Sequence, residues 1–264
     1  SVVTMYAMPT LVHPELLPKF DVWYWKALQK QTLHSATRVI AISQATADDL
    51  IRFYQLPAEK IRVIYPAIAR HFKPASNQEI QNVRHKYGLE NPYLIHVGRL
   101  DRKKNIPFLI ESFANFRKQA NQEINLALVG EVYPKSIDAT IQPTLERCQL
   151  GEAVRFTGRV PDQDLPALYS GAVASVLTSL HEGFGLAPIE ARACGTPLIA
   201  YSSGAIPEMA GGAALLIDRL DSIQFSAAMT EIISNPDRRQ ALRLAGLSRA
   251  VQFNGRQTAS QTLD

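Results

Sequence analysis

The sequence predicts an α/β protein built on parallel sheets whose two faces are covered by helices. Short apolar runs alternate with segments of helical periodicity, and Tyr93 to Val97, Leu126 to Val129, Val154 to Thr157, Ala172 to Leu177, Leu198 to Tyr201 and Ala214 to Ile217 read as strands. Turns at Gly98, Gly130, Gly158 and Gly183 fall after such runs, where a doubly wound sheet opens its ligand crevice outside the carboxyl ends of its strands. With 264 residues, 46% of them hydrophobic and 20% charged, the chain is long enough for a full core and for two domains.

In chain order, Ser1 to Tyr6 reads as a strand entering a loop. The chain starts without Met and in mid-pattern, so a fragment is expected. Phe20 to His34 is predicted helical, and Arg38 to Ser43 is a buried-type strand. Ser43 or Thr46 then starts a helix through Phe53, and Lys60 to Tyr65 is the next strand. His71 to Pro92, polar and proline-containing, reads as a link to the second βα series.

Several function classes fall away on composition. The longest apolar runs are far short of the roughly 20 residues of a spanning helix, and no leader pattern is present, so a cytosolic protein is expected. Cys148 and Cys194 have neither metal-ligand nor disulfide spacing, and His34, His71, His85, His96 and His181 have no ligand spacing to one another; only His181, beside Glu182, merits a mutational test. The net charge of +4 sits wholly in residues 1–75, with nine Lys and Arg against five acids, while residues 76–264 hold nineteen of each. Trp23, Tyr24 and Trp25 lie between Lys19, Lys26 and Lys30, which suits a peripheral contact of residues 19–30 with the inner face of a membrane or with a lipid-linked acceptor. An amphipathic helix docked on its own domain is the preferred reading of that stretch. No basic stripe or motif points to nucleic acid.

The chemistry concentrates in Leu177 to Pro197, a strand, a glycine-rich loop and a helix on which Leu186, Ile189 and Ala193 recur. Gly183 and Gly185 can take positive φ and carry no Cβ, so a ligand can lie on bare amides at the positive end of the new helix. An anion belongs there. Glu182 and Glu190, eight residues apart, would flank it, and two acceptors around an anion suggest hydroxyls between them.

Glu182-Gly183-Phe184-Gly185-Leu186 with Glu190 resembles the E-x7-E signature of the retaining, GT-B-fold nucleotide-sugar glycosyltransferases, glycosyltransferase family 4. The likeness continues through Ala191 to Pro197 and Ile206-Pro207-Glu208, and in Ile42 to Leu50 it matches a segment of the family's N-terminal domain. It implies a GT-B fold of two Rossmann-like parallel-sheet domains: residues 1–75 the distal part of the acceptor-side domain, 76–92 a linker, 93–250 the nucleotide-sugar-binding domain, and 251–264 the start of a returning helix. It also implies that Glu190 binds ribose hydroxyls, Glu182 donor-sugar hydroxyls, and the Gly183, Phe184, Gly185 and Leu186 loop the diphosphate and sugar. Many members carry His-Asp where this chain has Tyr6-Ala7.

The turn after Tyr93 to Val97 supplies cations, for which phosphate is the natural partner. Gly98, Arg99, Leu100, Lys104 and Asn105 match the family's Gly-Arg-Leu-x-x-x-Lys-Asn pattern, which implies that Arg99 and Lys104 neutralise the donor diphosphate. Val154 to Val160 resembles the strand and turn that hold the nucleobase edge through main-chain groups near Val160. Asp162-Gln163-Asp164 precedes a helical pattern, so Asp162 is expected to cap it, and no metal site is expected.

The resemblance implies transfer of a hexose, with a lean to mannose, from a nucleotide-diphosphate sugar to a saccharide or lipid-linked acceptor, with retention and without metal or other cofactor. Glu182, Arg99 and Lys104 carry the chemistry, with Glu182 as binder or charge stabiliser, since leaving-group charge develops on the diphosphate. A non-catalytic nucleotide-sugar-binding module and a GT-B sugar-nucleotide epimerase remain as alternatives.

Overall fold

The computed structural model describes residues 1–16, 19–120, 123–131 and 138–263. Three parallel strands, β1 (Val2–Met5), β2 (Arg38–Ala41) and β3 (Ile61–Val63), make the first sheet in that order. The short α1 (Pro9–Val12) and α2 (Lys19–Ser35) cross from β1 to β2, and α3 (Gln44–Tyr54) crosses from β2 to β3. Ser43 caps α3, its hydroxyl accepting from the Thr46 amide at 3.0 Å. Met5, Leu33, Val39, Ala41, Leu50 and Tyr54 fill this unit's core.

The preferred reading of α2, an amphipathic helix docked on its own domain, needs correction. Leu33 alone among its described residues is fully buried, and the aromatic residues of its first two turns face outward.

The second sheet has six parallel strands in the order β6-β5-β4-β7-β8-β9. They are β4 (Tyr93–Val97), β5 (Asn125–Val129), β6 (Val154–Gly158), β7 (Ala174–Leu177), β8 (Leu198–Tyr201) and β9 (Leu215–Ile217). Apolar clusters cover both faces, one around Leu94, Leu126, Phe113 and Phe225, the other around Tyr93, Ile95, Ala127 and Leu168. That double burial is why these strands read as continuous apolar runs. Helices α5 (Ile106–Gln119), α6 (Ile141–Cys148), α7 (Leu165–Gly171), α8 (Leu186–Ala193) and α9 (Ile206–Ala210) connect them in turn, after α4 (Asn77–Lys86). Strand order runs outward from β4 in both directions, so the chain reverses between β4 and β7, and a crevice opens there beyond their carboxyl ends.

Residues 76–92, expected as a linker, contain α4. Ser76 and Glu79 form a reciprocal capping box at its start, the helix packs on α7, and Val83 joins the core cluster of Tyr93 and Leu168. Polar composition hid a helix that needs only one narrow apolar contact. Asp162 does not cap α7 either. The N-cap position is Asp164, without a side-chain cap bond, because its carboxylate accepts from Lys86 Nζ at 2.7 Å and Tyr87 OH at 2.5 Å.

After α10 (Ser222–Ser234) and α11 (Pro236–Ala250), α12 (Gly255–Leu263) returns to the first unit, Thr258 donating to the Tyr65 carbonyl at 2.8 Å; Asp264 lies outside the described residues. The two units meet on an apolar seam of Ile42, Phe184, Ile189 and Phe253. Glu208 of α9 adds a polar clasp, its carboxylate accepting the Gln44 and Ala45 amides at the start of α3 at 2.8 and 3.2 Å. The carboxyl end of α9 is held by Arg192, fully buried, which donates to Met209 and Ala210 carbonyls at 2.8 and 3.1 Å. Arg249 adds a bond to the Glu208 carbonyl at 2.8 Å.

Candidate functional site

The β4 and β7 loops emerge side by side at the strand reversal and are stitched together by hydrogen bonds. Leu180 N donates to the Lys103 carbonyl at 2.8 Å, and Thr178 Oγ1 to the Lys104 carbonyl at 2.9 Å. A short 3₁₀ turn, Arg102–Lys104, is capped by Asp101 and points Lys104 at the second loop.

There Lys104 meets Glu182. Its ammonium lies 2.5 Å from one carboxylate oxygen, and that of Lys103 lies 4.0 Å from the other. Glu182 is only 7% exposed, and burial alone would raise its carboxyl. The Lys104 and Lys103 ammonium groups outweigh burial and hold it below the ordinary carboxylate range. Burial in turn lowers Lys103, against the pull of Glu182. Arg99, expected beside Lys104 on phosphate, is instead exposed at the mouth of the loop, 3.2 Å from Asp101 Oδ2. Motif reasoning passes over Lys103, although it stands within the same basic run.

The two glycines divide the work expected of both. Gly185, at φ 95°, is the left-handed residue that opens α8. Gly183 is not at positive φ; a Cβ there would stand 2.0 Å from the Tyr6 carbonyl oxygen and 2.7 Å from Ala7 Cβ. The loop is thus clamped against the first unit, and its Gly183 carbonyl accepts from Ser43 Oγ at 2.6 Å and Thr46 Oγ1 at 3.3 Å. Tyr6-Ala7 lies directly on the loop between the glutamates.

Leu186 and Ala187 open α8 with amides that have no intrahelical acceptor, while Pro188 contributes none. Phe184 is buried in the seam rather than facing the crevice. Glu190 lies one turn further along α8, its Oε2 3.4 Å from the Tyr169 hydroxyl. Burial raises its carboxyl to about 7, and Asp162 adds to the effect. The glutamates therefore differ in charge near neutral pH, one fixed as a carboxylate by lysines and one poised. Val160 is buried beside Tyr169 and Ala191, on the same side of the sheet as Glu190.

Histidines frame the site. His96 is buried below Gly98, its Nδ1 3.2 Å from the Val176 carbonyl, and burial lowers it to about 4. His181 is likewise lowered to about 4 by burial and by His13, and its Nε2 lies 3.9 Å from Asp49. His13, which no motif singles out, contacts the Leu180 carbonyl at 3.1 Å and Glu15 at 2.8 Å, with its ring 6.0 Å from that of His181. Among the described residues no three His, Cys, Asp or Glu side chains gather as a metal site requires, and no helix is long and apolar enough to cross a membrane.

Comparison with known proteins matches residues 77–249 to the family model of glycosyl transferases group 1 and residues 2–71 to that of glycosyltransferase family 4. The O-antigen chain mannosyltransferase B of Escherichia coli is 29% identical over 265 residues, across 100% of this chain and 69% of that protein. Serotype-specific mannosyltransferase WbdA of Escherichia coli is 26% identical over 94% of this chain, which spans 30% of its length. Sucrose-phosphate synthase from Thermosynechococcus elongatus superposes with a TM-score of 0.83 at 26% identity, over 99% of this chain and 65% of that structure. Anabaena HepE in complex with UDP and glucose superposes at 0.82 and 22% identity, over 99% of this chain and 69% of that one.

Proposed function

The chain belongs to the glycosyl transferases group 1 family and has the GT-B arrangement of its structural neighbours, and from that premise we propose that it transfers a hexose from a nucleotide-diphosphate sugar to a saccharide or lipid-linked acceptor. Mannose is the favoured sugar, supported by the mannosyltransferases among its relatives. The observation that carries the reading is the Lys104–Glu182 pair at the strand reversal, followed along the same loop by the open start of α8, with Glu190 one turn into that helix.

On this reading the diphosphate lies over the α8 amides of Leu186 and Ala187, beside Gly98, and draws Lys104 and Arg99 onto its oxygens. Lys104 then leaves Glu182, whose carboxylate is free to accept hydroxyls of the donor sugar. Glu190 accepts the ribose hydroxyls, and main-chain groups near Val160 hold the base. As the bond from sugar to diphosphate breaks, negative charge grows on the leaving phosphate, so lysine, arginine and amide dipoles stabilise the transition state more than the bound donor. Retention follows from departure and attack on one face of the sugar, with charge neutralised by these side chains rather than by a metal.

Release of free nucleoside diphosphate from a nucleotide-sugar only when a saccharide or lipid-linked acceptor is added tests the proposal. Tight donor binding with no turnover under any acceptor would instead mark a binding module.

A further inference from the structure

Two ammonium groups meet the Glu182 carboxylate, and the donor reading gives a task to only one of them. Lys104 lies 2.5 Å from Oε1, whereas Lys103 stands 4.0 Å from Oε2 as an ion pair without a hydrogen bond. Lys104 also borders the bare backbone of the β4 loop, its Cε 3.4 Å and Nζ 3.8 Å from where a Cβ on Gly98 would stand. Lys103 is held differently. Its carbonyl accepts the Leu180 amide at 2.8 Å, two residues before Glu182, so its main chain is fixed to the loop that carries the carboxylate. Among the described residues Glu182 offers the one carboxylate within 4.0 Å of the Lys103 ammonium. Asp101 acts on that ammonium from further off, while Arg99 and Lys104 oppose its charge.

A diphosphate drawn to Gly98 takes Lys104 with it, and the Glu182 carboxylate that stays behind is only 10% exposed. Burial then works to protonate it, and a protonated carboxyl is a poorer acceptor for sugar hydroxyls. No other side chain replaces Lys104. His96 beneath the loop and His181 beside Glu182 are both kept neutral near pH 7, burial lowering each to about 4, and Asp49 lies beyond His181 at 3.9 Å. Residues 202–205, which pack on the Glu182 backbone at Gly204, carry no charged side chain. Lys103 is the cation that remains. We infer that Lys103 is a positioning residue that keeps Glu182 a carboxylate in the donor complex, holding Oε2 while Lys104 goes to the diphosphate and Oε1 is opened to the sugar. The inference rests on the placement of the diphosphate beside Gly98 proposed above.

The test is calorimetric titration of the full-length protein with uridine, guanosine, adenosine and thymidine diphosphates, each in buffers of unequal ionisation heat, from about pH 6 to about pH 8. Comparing variant with wild type cancels the protons exchanged by the nucleotide and by Glu190. Lys103→Met should take up about one proton more than wild type on binding, because Lys104 leaves a buried carboxylate with no cation. Uptake on binding means that acid favours the complex. The variant should therefore bind more weakly than wild type at the alkaline end, the gap narrowing toward acid by up to about tenfold per pH unit, the limit for one linked proton. Lys103→Arg restores the cation and should restore wild-type uptake, and adding Glu182→Gln to Lys103→Met should remove the extra proton. Should Lys103→Met fail to fold, Lys103→Gln is read in its place. Affinity lost equally at every pH without extra uptake would put Lys103 on the phosphate and overturn the inference, as would a variant indistinguishable from wild type. Extra uptake that survives Glu182→Gln would also overturn it, since the proton would then sit elsewhere. Wild-type protein that binds none of the four nucleotides would sink the donor-site reading itself, and this inference with it.

Discussion

Replacing Glu190 by Gln should stabilise the protein while impairing its use of the donor. In the fold this carboxyl is raised from 4.5 to about 7, chiefly by burial, against which stands only a long bond from the Tyr169 hydroxyl at 3.4 Å. At roughly 1.4 kcal/mol per tenfold change in proton affinity, ionising it in place costs about 3 kcal/mol relative to the unfolded chain. The folded carboxyl binds its proton more tightly than the unfolded one. Its contribution to stability is therefore fully present below about pH 4.5 and is lost as pH rises to about 7. An amide at this position keeps the volume without the charge, so urea denaturation at pH 8 should find Glu190→Gln more stable by about 2–3 kcal/mol after allowance for the weakened Tyr169 bond. The gap should narrow as pH falls through 7 and vanish near 4. A variant no more stable than wild type at pH 8, or a gap independent of pH, would refute the assignment of a desolvated carboxylate at this position.

Other expectations follow from the same geometry. Arg99→Ala and Lys104→Ala should each weaken binding of nucleoside diphosphates by about 1.5–3 kcal/mol and leave nucleosides nearly unaffected; equal losses in calorimetric titration would place the basic loop elsewhere. Gly183→Ala drives a Cβ into the Tyr6 carbonyl oxygen at 2.0 Å, so it should prise loop and first unit apart, lowering stability by more than about 1 kcal/mol and reducing transfer; a neutral denaturation result would show that the clamp yields. Arg192→Met strips the fully buried donor from the end of α9 and should cost about 2–4 kcal/mol in urea denaturation; a change below about 0.5 kcal/mol would mean that those carbonyls find other partners.

The strands were legible because a parallel sheet buried on both faces writes continuous apolar runs, and β4 to β9 lie within two residues of the runs read from sequence. Motif spacing is local, so it could name Glu182, Glu190, Gly98 and Lys104 as candidates, and the fold sets Lys104 against Glu182 and beside Gly98. What the sequence withheld is tertiary. The pairing of Lys104 with Glu182 across 78 residues leaves no local trace, nor does the approach of Gly183 to Tyr6. His13 could be linked to His181 only through the packing of the first unit on the second loop. The helix α4 was readable in principle, since Ser76 and Glu79 stand at capping-box spacing, but two flanking prolines and a polar stretch outweighed that signal. Exposure of the α2 aromatics could not be foreseen either, because aromatic residues at helical spacing describe a buried face and a docking face equally well.

The division of the donor between the two glutamates is tested most directly by calorimetric titration of Glu182→Gln and Glu190→Gln in the full-length protein, with nucleoside diphosphate and with nucleotide-sugar. Glu190→Gln should raise the Kd of the nucleoside diphosphate itself, since the ribose loses an acceptor. Glu182→Gln releases Lys104 from its ion pair, so nucleoside diphosphate affinity should stay within a few-fold or tighten, while transfer and discrimination between sugars are lost. If Glu182→Gln abolished nucleotide binding and Glu190→Gln left it untouched, the donor would lie the other way round and the roles assigned to both carboxylates would be wrong.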